Sequence, residues 1–338
     1  MRRLNPFINP PARRQPRWRA AICGEFELPP QLGIVSPVYK AEGCIEELHR
    51  RLTAVLQEMR VDYEIALVDD GSPDRSGEKL ERIALSDPHV TAVILSRNFG
   101  QHAAILAGLS ESTADAVVVM DCDLQDRPED IPLLYAKLAE GFDIAIARRG
   151  ERQDSWFKRT TSRIWFGILN RLTDSPTDPE AGSFSIVTRQ VVDALLEMPN
   201  RHSHYLFILK WLGFRQTYVD VQHNQRFAGK SSYSFWRLVA HAMSGITAHS
   251  TRLLHMSIYA GFSFVALAIV QFAYVIFRKL AHGIGVEGWA SVMAAIWLMG
   301  GAMLFSIGVI GIYIGRIVED VKARPPFVVR RRIRVEGR

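Results

Sequence analysis

The chain has 338 residues, enough for one large domain with an appendage, and carries a formal net charge of +6. This basic balance indicates an anionic partner or surface, with nucleic acid and anionic lipid as the two candidates. The three cysteines, Cys23, Cys44 and Cys122, are odd in number and lack metal-ligand spacing, which argues against a disulfide framework or a zinc site.

The first segment, residues 1–30, combines several arginines with several prolines. Such a composition cannot bury enough apolar surface to fold, so we expect a basic disordered segment. It contains no apolar run of the kind found in signal peptides, and we therefore do not expect the domain that follows to be exported.

From residue 32 onward, strand and helix patterns alternate. The sequence predicts strands at 33–37, 64–68, 90–95, 116–120 and 143–147, and helices at 42–59, 77–85, 103–109 and 128–140. Regular alternation of this kind implies a mostly parallel sheet with helices on both faces. Neither a G-x-G-x-x-G fingerprint nor a Walker A motif is present, which argues against a dehydrogenase and a P-loop nucleotidase.

Acidic pairs follow two of these strands. Asp69 and Asp70 end the second strand, while Asp121 and Asp123 follow the fourth. Parallel strands bring these ends to one edge of the sheet, where open α/β folds bind ligands. Carboxylate oxygens are hard ligands that suit Mg²⁺ or Mn²⁺. For each pair taken alone, a purely structural role in a turn or a helix cap is the alternative interpretation.

Two segments, 256–277 and 288–315, contain no Asp, Glu, Lys, Arg or His. Each is longer than the ~20 apolar residues that cross a bilayer, so we predict two transmembrane helices joined by a short loop. Positive charge is far more abundant on the outer flanks than in the loop, which predicts that both termini face the cytoplasm.

The regions beside the spans are interpreted by charge and spacing. Residues 234–255 fit amphipathic helices lying on the bilayer, although a buried domain helix explains them equally well. Residues 318–338 are Arg-rich and are expected to form a basic cytosolic tail. Because a membrane explains the basic ends more simply, nucleic acid is not expected as a partner.

Four motifs occur in order along the predicted α/β domain. They are Pro37-x-Tyr39, Val68-Asp69-Asp70-Gly71-Ser72, Arg97-Asn98-Phe99-Gly100 and Asp121-x-Asp123-Leu124-Gln125-Asp126-x-Pro128-Glu129. Together they resemble the inverting GT-A glycosyltransferases of family 2, in particular the polyprenyl-phosphate branch with the dolichyl-phosphate mannose synthases and bacterial polyprenyl-phosphate glucosyltransferases. The resemblance implies a cytosolic GT-A nucleotide-sugar-binding domain over 31–233, followed by a two-helix transmembrane hairpin within 256–317.

The resemblance also implies roles for these motifs. The donor nucleotide sugar would be bound by Pro37, Tyr39, Asp69, Asp70, Arg97 and Asp121. A divalent cation, Mg²⁺ or Mn²⁺, would be held by Asp121, Asp123 and Gln125. The cation would stabilise the negative charge that gathers on the departing nucleoside diphosphate.

The catalytic base is less well marked. Where relatives carry Asp-x-Gly-x-Phe-Arg, this chain has Glu180-Ala181-Gly182-Ser183-Phe184-Ser185. Glu180 would replace the acidic residue, Asp178 competes with it, and the arginine is missing at Ser185. Glu180 and Asp178, together with Asp123, form the predicted catalytic set. An ionised phosphate acceptor, however, needs positioning more than deprotonation.

Basic residues would hold the acceptor phosphate, with a solvated basic surface as the alternative. They are Arg148, Arg149, Arg152, Lys158, Arg226, Lys230 and Ser231, the last being the hydroxyl of an Arg-x-x-Gly-x-Ser loop. The implied reaction moves a sugar from a UDP- or GDP-sugar to a polyprenyl (undecaprenyl) phosphate at the inner membrane. The product would be a lipid-linked monosaccharide for cell-envelope glycans.

Two other functions stay open at this point. One is a family 2 transferase with a different glycan or lipid acceptor, and the other is a catalytically silent membrane subunit that binds a nucleotide sugar. The sequence also permits a homo-oligomer, because Gly311-x-x-x-Gly315 allows close helix packing.

Overall fold

The computed structural model describes residues 32–149, 181–198, 205–221, 252–282, 288–322 and 324–335. They belong to two compact units, an α/β unit and a helical unit formed by the two long helices. The α/β unit also includes the described residues from Pro325 onward. The predicted disordered segment 1–30 lies outside the described residues, as do residues 234–251 of the predicted interfacial helices.

The α/β unit is built on one eight-stranded sheet. Its strands are β1 (Leu32–Val38), β2 (Tyr63–Asp69), β3 (Val90–Leu95), β4 (Ala116–Val119), β5 (Ile144–Arg149), β6 (Ala181–Thr188), β7 (Gln216–Val221) and β8 (Val329–Ile333). They lie in the order β7-β5-β6-β4-β1-β2-β3-β8. The pairs β1–β2, β1–β4, β2–β3 and β5–β7 are parallel, whereas β4–β6, β5–β6 and β3–β8 are antiparallel. The predicted mostly parallel sheet is therefore confirmed.

In the described part of the α/β unit, six helices accompany the sheet. They are α1 (Ile45–Met59), α2 (Ser76–Ser86), α3 (Gln101–Glu111), α4 (Ile131–Ala139, after a 3₁₀ turn at Pro128–Asp130), α5 (Arg189–Glu197) and α6 (Tyr205–Trp211). β1 is buried along its whole length, as expected for a central parallel strand covered on both faces. Apolar clusters pack on both faces, one including Leu48 and Leu52 of α1 and the other including Ile105 and Leu109 of α3.

The fifth strand differs from its predicted bounds in a way that concerns the site. The sequence analysis ended it at residue 147 and placed Arg148 and Arg149 just beyond it. In the structure both arginines belong to β5, where they pair in register with Asp220 and Val221 of β7. The hydrophobic pattern stops at Ala147, but backbone pairing continues past it.

The Arg-rich C-terminal segment is also more ordered than a tail. Val329–Ile333 form an antiparallel strand at the β3 edge of the sheet. Arg331 pairs with Glu81 of α2 at 2.6 Å, and Arg332 pairs with Glu111 of α3 at 2.7 Å. Successive strand residues point to opposite faces, so the two arginines reach helices on the two sides of the sheet. β8 thus covers an edge that would otherwise present unpaired backbone groups.

A small polar cluster stands before β3. Asp87 accepts hydrogen bonds from His49 Nε2 at 2.8 Å and from both the backbone N–H and Nδ1 of His89 at 2.9 Å. Burial raises the pKa of Asp87, but the hydrogen bonds from His89 and His49 outweigh it and leave the pKa below its ordinary value. The cluster joins α1 to the start of β3.

The helical unit contains α7 (Arg252–His282) and α8 (Trp289–Val321). Within the described residues, one stretch, Leu298–Gly315, is long and apolar enough to cross a bilayer. Large apolar side chains are exposed on both helices, including Phe262 and Phe277 of α7 and Leu304 of α8. The structure thus identifies one candidate span, and the hairpin of two spans stays a prediction.

Candidate active site

The predicted acidic edge is formed by the carboxyl ends of neighbouring parallel strands. β1 lies between β2 and β4 and is parallel to both. β2 therefore delivers Asp69 and Asp70, and β4 delivers Asp121 and Asp123, to the same edge. This is the edge at which α/β folds bind ligands.

Asp70 links the second strand to the Arg97–Gly100 loop. Its Oδ1 accepts a hydrogen bond from the Phe99 N–H at 2.7 Å, and its Oδ2 accepts one from the Gly100 N–H at 2.9 Å. The side chain is only 2% exposed. Both carboxylate oxygens are therefore engaged by backbone, and Asp70 fixes the loop that leads into α3.

Gly71 allows the Asp-Gly-Ser turn to approach this loop. Its φ is +64°, and a Cβ built there would lie 2.5 Å from the carbonyl carbon of Arg97 and 2.6 Å from the nitrogen of Asn98. No side chain fits in that space, and positive φ also favours glycine. The turn and the loop thus form one packed unit.

Asp69 closes the same turn. Its Oδ1 accepts a hydrogen bond from the Ser72 N–H at 3.0 Å. Burial raises the pKa of Asp69 and of Asp70, and hydrogen bonds from Ser72, Phe99 and Gly100 N–H groups partly oppose this. Both carboxylates are held by the fold.

The end of β1 contributes an exposed aromatic residue. Tyr39, the residue after β1, is 45% exposed, whereas Pro37, two residues earlier, is buried. The Lys40 N–H donates to Ser72 Oγ at 3.1 Å, which ties this turn to the Asp-Gly-Ser turn. Arg97 is exposed as well, and its guanidinium lies 4.1 Å from the Phe99 ring centre. Of the predicted donor-binding residues outside the acidic pairs, Tyr39 and Arg97 are therefore the accessible ones.

The segment after β4 forms a turn. β4 ends at Val119, and Leu124 takes a left-handed φ of 60°. Asp121, Asp123 and Gln125 are half-buried, whereas the residues between them are buried. Asp123 Oδ1 accepts a hydrogen bond from the Gln125 N–H at 3.1 Å. The three predicted cation ligands are thus all partly accessible in the segment after β4.

Cys122 lies between the two aspartates and belongs to the core. Burial raises its pKa to about 12, and the adjacent Asp121 and Asp123 carboxylates act in the same direction. Cys122 is therefore an uncharged thiol and no nucleophile.

Asp121 accepts hydrogen bonds from two side chains to which the sequence analysis gave no role. Gln101 Nε2 donates to Asp121 Oδ1 at 2.7 Å, and Ser183 Oγ donates to the same oxygen at 2.9 Å. Gln101 is the first residue of α3, directly after the Arg97–Gly100 loop, and Ser183 lies on β6. Both stand inside or beside motifs, which is the only signal that could have revealed them.

The donor groups at this edge are suited to a hard cation. Among the residues that the structure describes, no three His, Cys, Asp or Glu side chains gather as a complete metal site. Asp121 and Asp123 offer two carboxylates, so substrate phosphates and water would have to complete the shell. An all-oxygen set of this kind fits Mg²⁺ or Mn²⁺, which commonly bind through one or two carboxylates plus phosphates.

The predicted acceptor-binding and base residues are only partly described. Arg148 Nε donates to Asp220 Oδ1 at 2.7 Å in an exposed pair, and Arg149 ends β5. The other predictions, Asp178, Glu180, Arg152, Lys158, Arg226, Lys230 and Ser231, lie outside the described residues.

Ser185, the position without the expected arginine, is fully buried. Its Oγ donates to the Ser183 carbonyl at 3.1 Å and lies 3.1 Å from Tyr205 Oη. Burial raises the pKa of Tyr205, which therefore stays neutral. Ser185 therefore supports the strand that carries Ser183.

Comparisons with known proteins identify the family of this chain. The model of the family "Glycosyl transferase family 2" matches residues 33–196. The chain is 37% identical to an uncharacterised glycosyltransferase of Synechocystis sp., over 88% of this chain and 94% of that protein. It is 34% identical to an uncharacterised glycosyltransferase of Bacillus subtilis, over 91% and 96% of the two chains. It is also 36% identical to the undecaprenyl-phosphate 4-deoxy-4-formamido-L-arabinose transferase of Enterobacter sp., over 89% and 93%.

Proposed function

Because the chain belongs to glycosyltransferase family 2 and is a glycosyltransferase, we propose that it transfers a sugar from a nucleotide diphosphate sugar to undecaprenyl phosphate. The observation that carries the proposal is the acidic edge formed by β2 and β4, in a chain similar along most of its length to an undecaprenyl-phosphate sugar transferase. The product is a lipid-linked monosaccharide with inverted anomeric configuration, made at the cytosolic leaflet for cell-envelope glycans.

The donor binds where the two acidic turns meet. Asp69 and the exposed Tyr39 contact the base and ribose, and Arg97 reaches the donor from the adjoining loop. Asp70 acts through that loop, since both of its oxygens are engaged by backbone. This arrangement presents a fixed surface to the nucleotide, which reduces the entropy lost on binding.

Asp121, Asp123 and Gln125 hold Mg²⁺ or Mn²⁺ with the donor diphosphate. The bound cation stabilises the negative charge that develops on the leaving nucleoside diphosphate. The half-buried position of the three side chains supports this assignment, because a partly dry site strengthens their attraction for the ion.

The acceptor phosphate is held by the basic residues and the one hydroxyl predicted for it: Arg148, Arg149, Arg152, Lys158, Arg226 and Lys230, together with Ser231. Arginine offers paired N–H donors to phosphate oxygens, which orient the attacking oxygen towards the sugar. Asp220 occupies the Arg148 guanidinium in the structure, so acceptor binding at Arg148 requires exchange of that partner. Glu180 or Asp178 serves as base if the acceptor arrives protonated.

The helical unit places the enzyme in the inner membrane through two spans, α7 and α8. Support comes from the apolar side chains exposed on both helices: Phe262 is 69% exposed, Phe277 66% and Leu304 72%. Exposed apolar surface of this extent is expected where lipid covers a helix. In this proposal the catalytic domain and both termini lie in the cytosol, and the excess of basic residues on the outer flanks of the two spans supports this orientation.

The test is sugar transfer into lipid. Membranes containing the protein are incubated with undecaprenyl phosphate and labelled UDP-glucose, UDP-galactose, UDP-N-acetylglucosamine or GDP-mannose, with and without EDTA. We expect label from one donor in the organic extract, lost with EDTA and with Asp123→Asn. Asp193→Asn, the same change at an exposed position on α5, is the matched control and should keep activity.

Two outcomes would replace the proposal. Transfer to another endogenous acceptor, but not to undecaprenyl phosphate, indicates a family 2 transferase with a different glycan or lipid acceptor. Binding of a nucleotide sugar without transfer from any donor indicates a catalytically silent subunit.

A further inference from the structure

We propose that Gln101 and Ser183 are positioning residues that orient the Asp121 carboxylate for the divalent cation and the donor diphosphate. The proposal deepens the proposed function and rests on its assignment of a cation to Asp121. Neither residue was assigned a role by its motif.

The first contact comes from α3. Gln101 follows Gly100, whose N–H is fixed by Asp70 Oδ2 at 2.9 Å. The first turn of α3 is therefore anchored to the end of β2, and its Gln101 amide reaches Asp121 Oδ1 at 2.7 Å. One chain of contacts thus joins Asp70, directly after β2, to Asp121, in the segment after β4.

The second contact comes from β6, the strand that pairs with β4 in the sheet. β6 pairs antiparallel with β4, and its Ser183 hydroxyl reaches the same oxygen at 2.9 Å. The Ser183 carbonyl is in turn bound by Ser185 Oγ, which lies against the buried Tyr205 hydroxyl. Ser183, which donates the hydrogen bond to Asp121, is thereby attached to the core of the domain through Ser185 and Tyr205.

The chemistry of these two donors suits a cation ligand. An amide N–H and a hydroxyl carry no net charge, so they orient a carboxylate without cancelling its negative charge. A lysine or arginine at either position would repel the cation. With Oδ1 held from two sides, rotation of the carboxylate is already restricted before the ion binds, and less entropy is lost on binding. Partners of this kind commonly contribute 10–100-fold to metal affinity.

The experiment measures Mn²⁺ binding directly, without reference to turnover. The full-length protein in detergent is titrated with Mn²⁺ in the presence of UDP, and free Mn²⁺ is followed by electron paramagnetic resonance. We expect Gln101→Leu to raise the Mn²⁺ dissociation constant about 10- to 100-fold and Ser183→Ala to raise it by a smaller factor. Because both side chains bind one oxygen, the double variant should show less than the product of the two factors.

Controls separate positioning from folding. Ser183→Thr keeps the hydroxyl and should stay close to the parent protein. Gln190→Leu makes the same chemical change as Gln101→Leu at an exposed position on α5 and should leave Mn²⁺ binding unchanged. In a turnover assay, Gln101→Leu should raise the Mn²⁺ concentration needed for half-maximal rate while most of kcat returns at saturating Mn²⁺.

Asp121→Asn distinguishes the two proposals. If this variant loses Mn²⁺ binding but Gln101→Leu and Ser183→Ala bind within twofold of the parent protein, the positioning role is wrong and the cation site stands. If Asp121→Asn also binds Mn²⁺ normally, the assignment of the cation to Asp121 fails and the positioning role fails with it, whereas the proposed sugar transfer is decided separately by the label in the organic extract.

Discussion

Substitution of Gly71 by alanine tests whether the Asp-Gly-Ser turn and the Arg97–Gly100 loop act as one packed unit. The new Cβ would meet backbone atoms at 2.5 and 2.6 Å, and the residue would keep a φ of +64°. Backbone cannot rotate aside as a flexible side chain does, so we expect the loop to move away from the turn.

The magnitude has two parts, and the chain offers a variant that separates them. A left-handed alanine costs about 1–2 kcal/mol, and overpacking adds about 1–3 kcal/mol. Gly213 has a similar φ of +70°, but nothing lies within 4 Å of its Cβ position. Gly213→Ala therefore carries only the first part, and Gly71→Ala carries both, about 2–5 kcal/mol in total.

The assay compares thermal unfolding and nucleotide binding for the two variants. The extra 1–3 kcal/mol corresponds to a Tm about 2–12 °C lower for Gly71→Ala than for Gly213→Ala, at roughly 2–4 °C per kcal/mol. Calorimetric titration with UDP and Mn²⁺ should show weaker binding only for Gly71→Ala, because Arg97 moves with the loop. Equal Tm values and equal UDP affinities for the two variants would refute the packed-unit interpretation.

Three further predictions concern parts of the α/β unit away from this turn. Because the pKa of Asp87 is lowered in the folded protein, its ionised side chain stabilises the fold above the unfolded pKa of about 3.9, and this stabilisation is lost as the pH falls below that value. The Tm difference between the parent protein and Asp87→Asn should therefore be constant near neutral pH and shrink below about pH 4. Asp220→Asn removes the exposed ion pair with Arg148, so the Tm should change little while the KM for the lipid phosphate falls or stays equal. A rise in KM would contradict an acceptor role for Arg148. Deletion of 329–338 uncovers the β3 edge and should lower the Tm and promote aggregation in light scattering, whereas deletion of 334–338 keeps β8 and should do neither.

The central sheet could be predicted from local pattern because its strands are continuous apolar runs. The predicted bounds of β3 match the structure, those of β1 and β2 differ by one residue at each end, and those of β4 differ by one residue at its carboxyl end. β6, β7 and β8 were not predicted. β8 consists largely of arginines, and its place depends on backbone pairing with β3 and on ion pairs to Glu81 and Glu111, none of which leaves a periodic apolar pattern.

The acidic edge was also predictable, because parallel strands must bring Asp69 and Asp121 to the same side of the sheet. The contacts within the edge were not. Asp70 binds backbone about 30 residues further along, and Asp121 is held by residues 20 and 62 positions away. Such contacts are fixed by the tertiary fold, and no local spacing indicates them.

The position of β8 has a consequence for biosynthesis. The ribosome makes β8 only after both long helices, and the partners Glu81 and Arg331 are 250 residues apart. At roughly 5–20 residues per second, β3 of the nascent chain waits about 12–50 s for its final neighbour. During that interval the sheet edge is open to chaperones or to other nascent chains. The sheet is therefore completed only in molecules whose two long helices have already been synthesised.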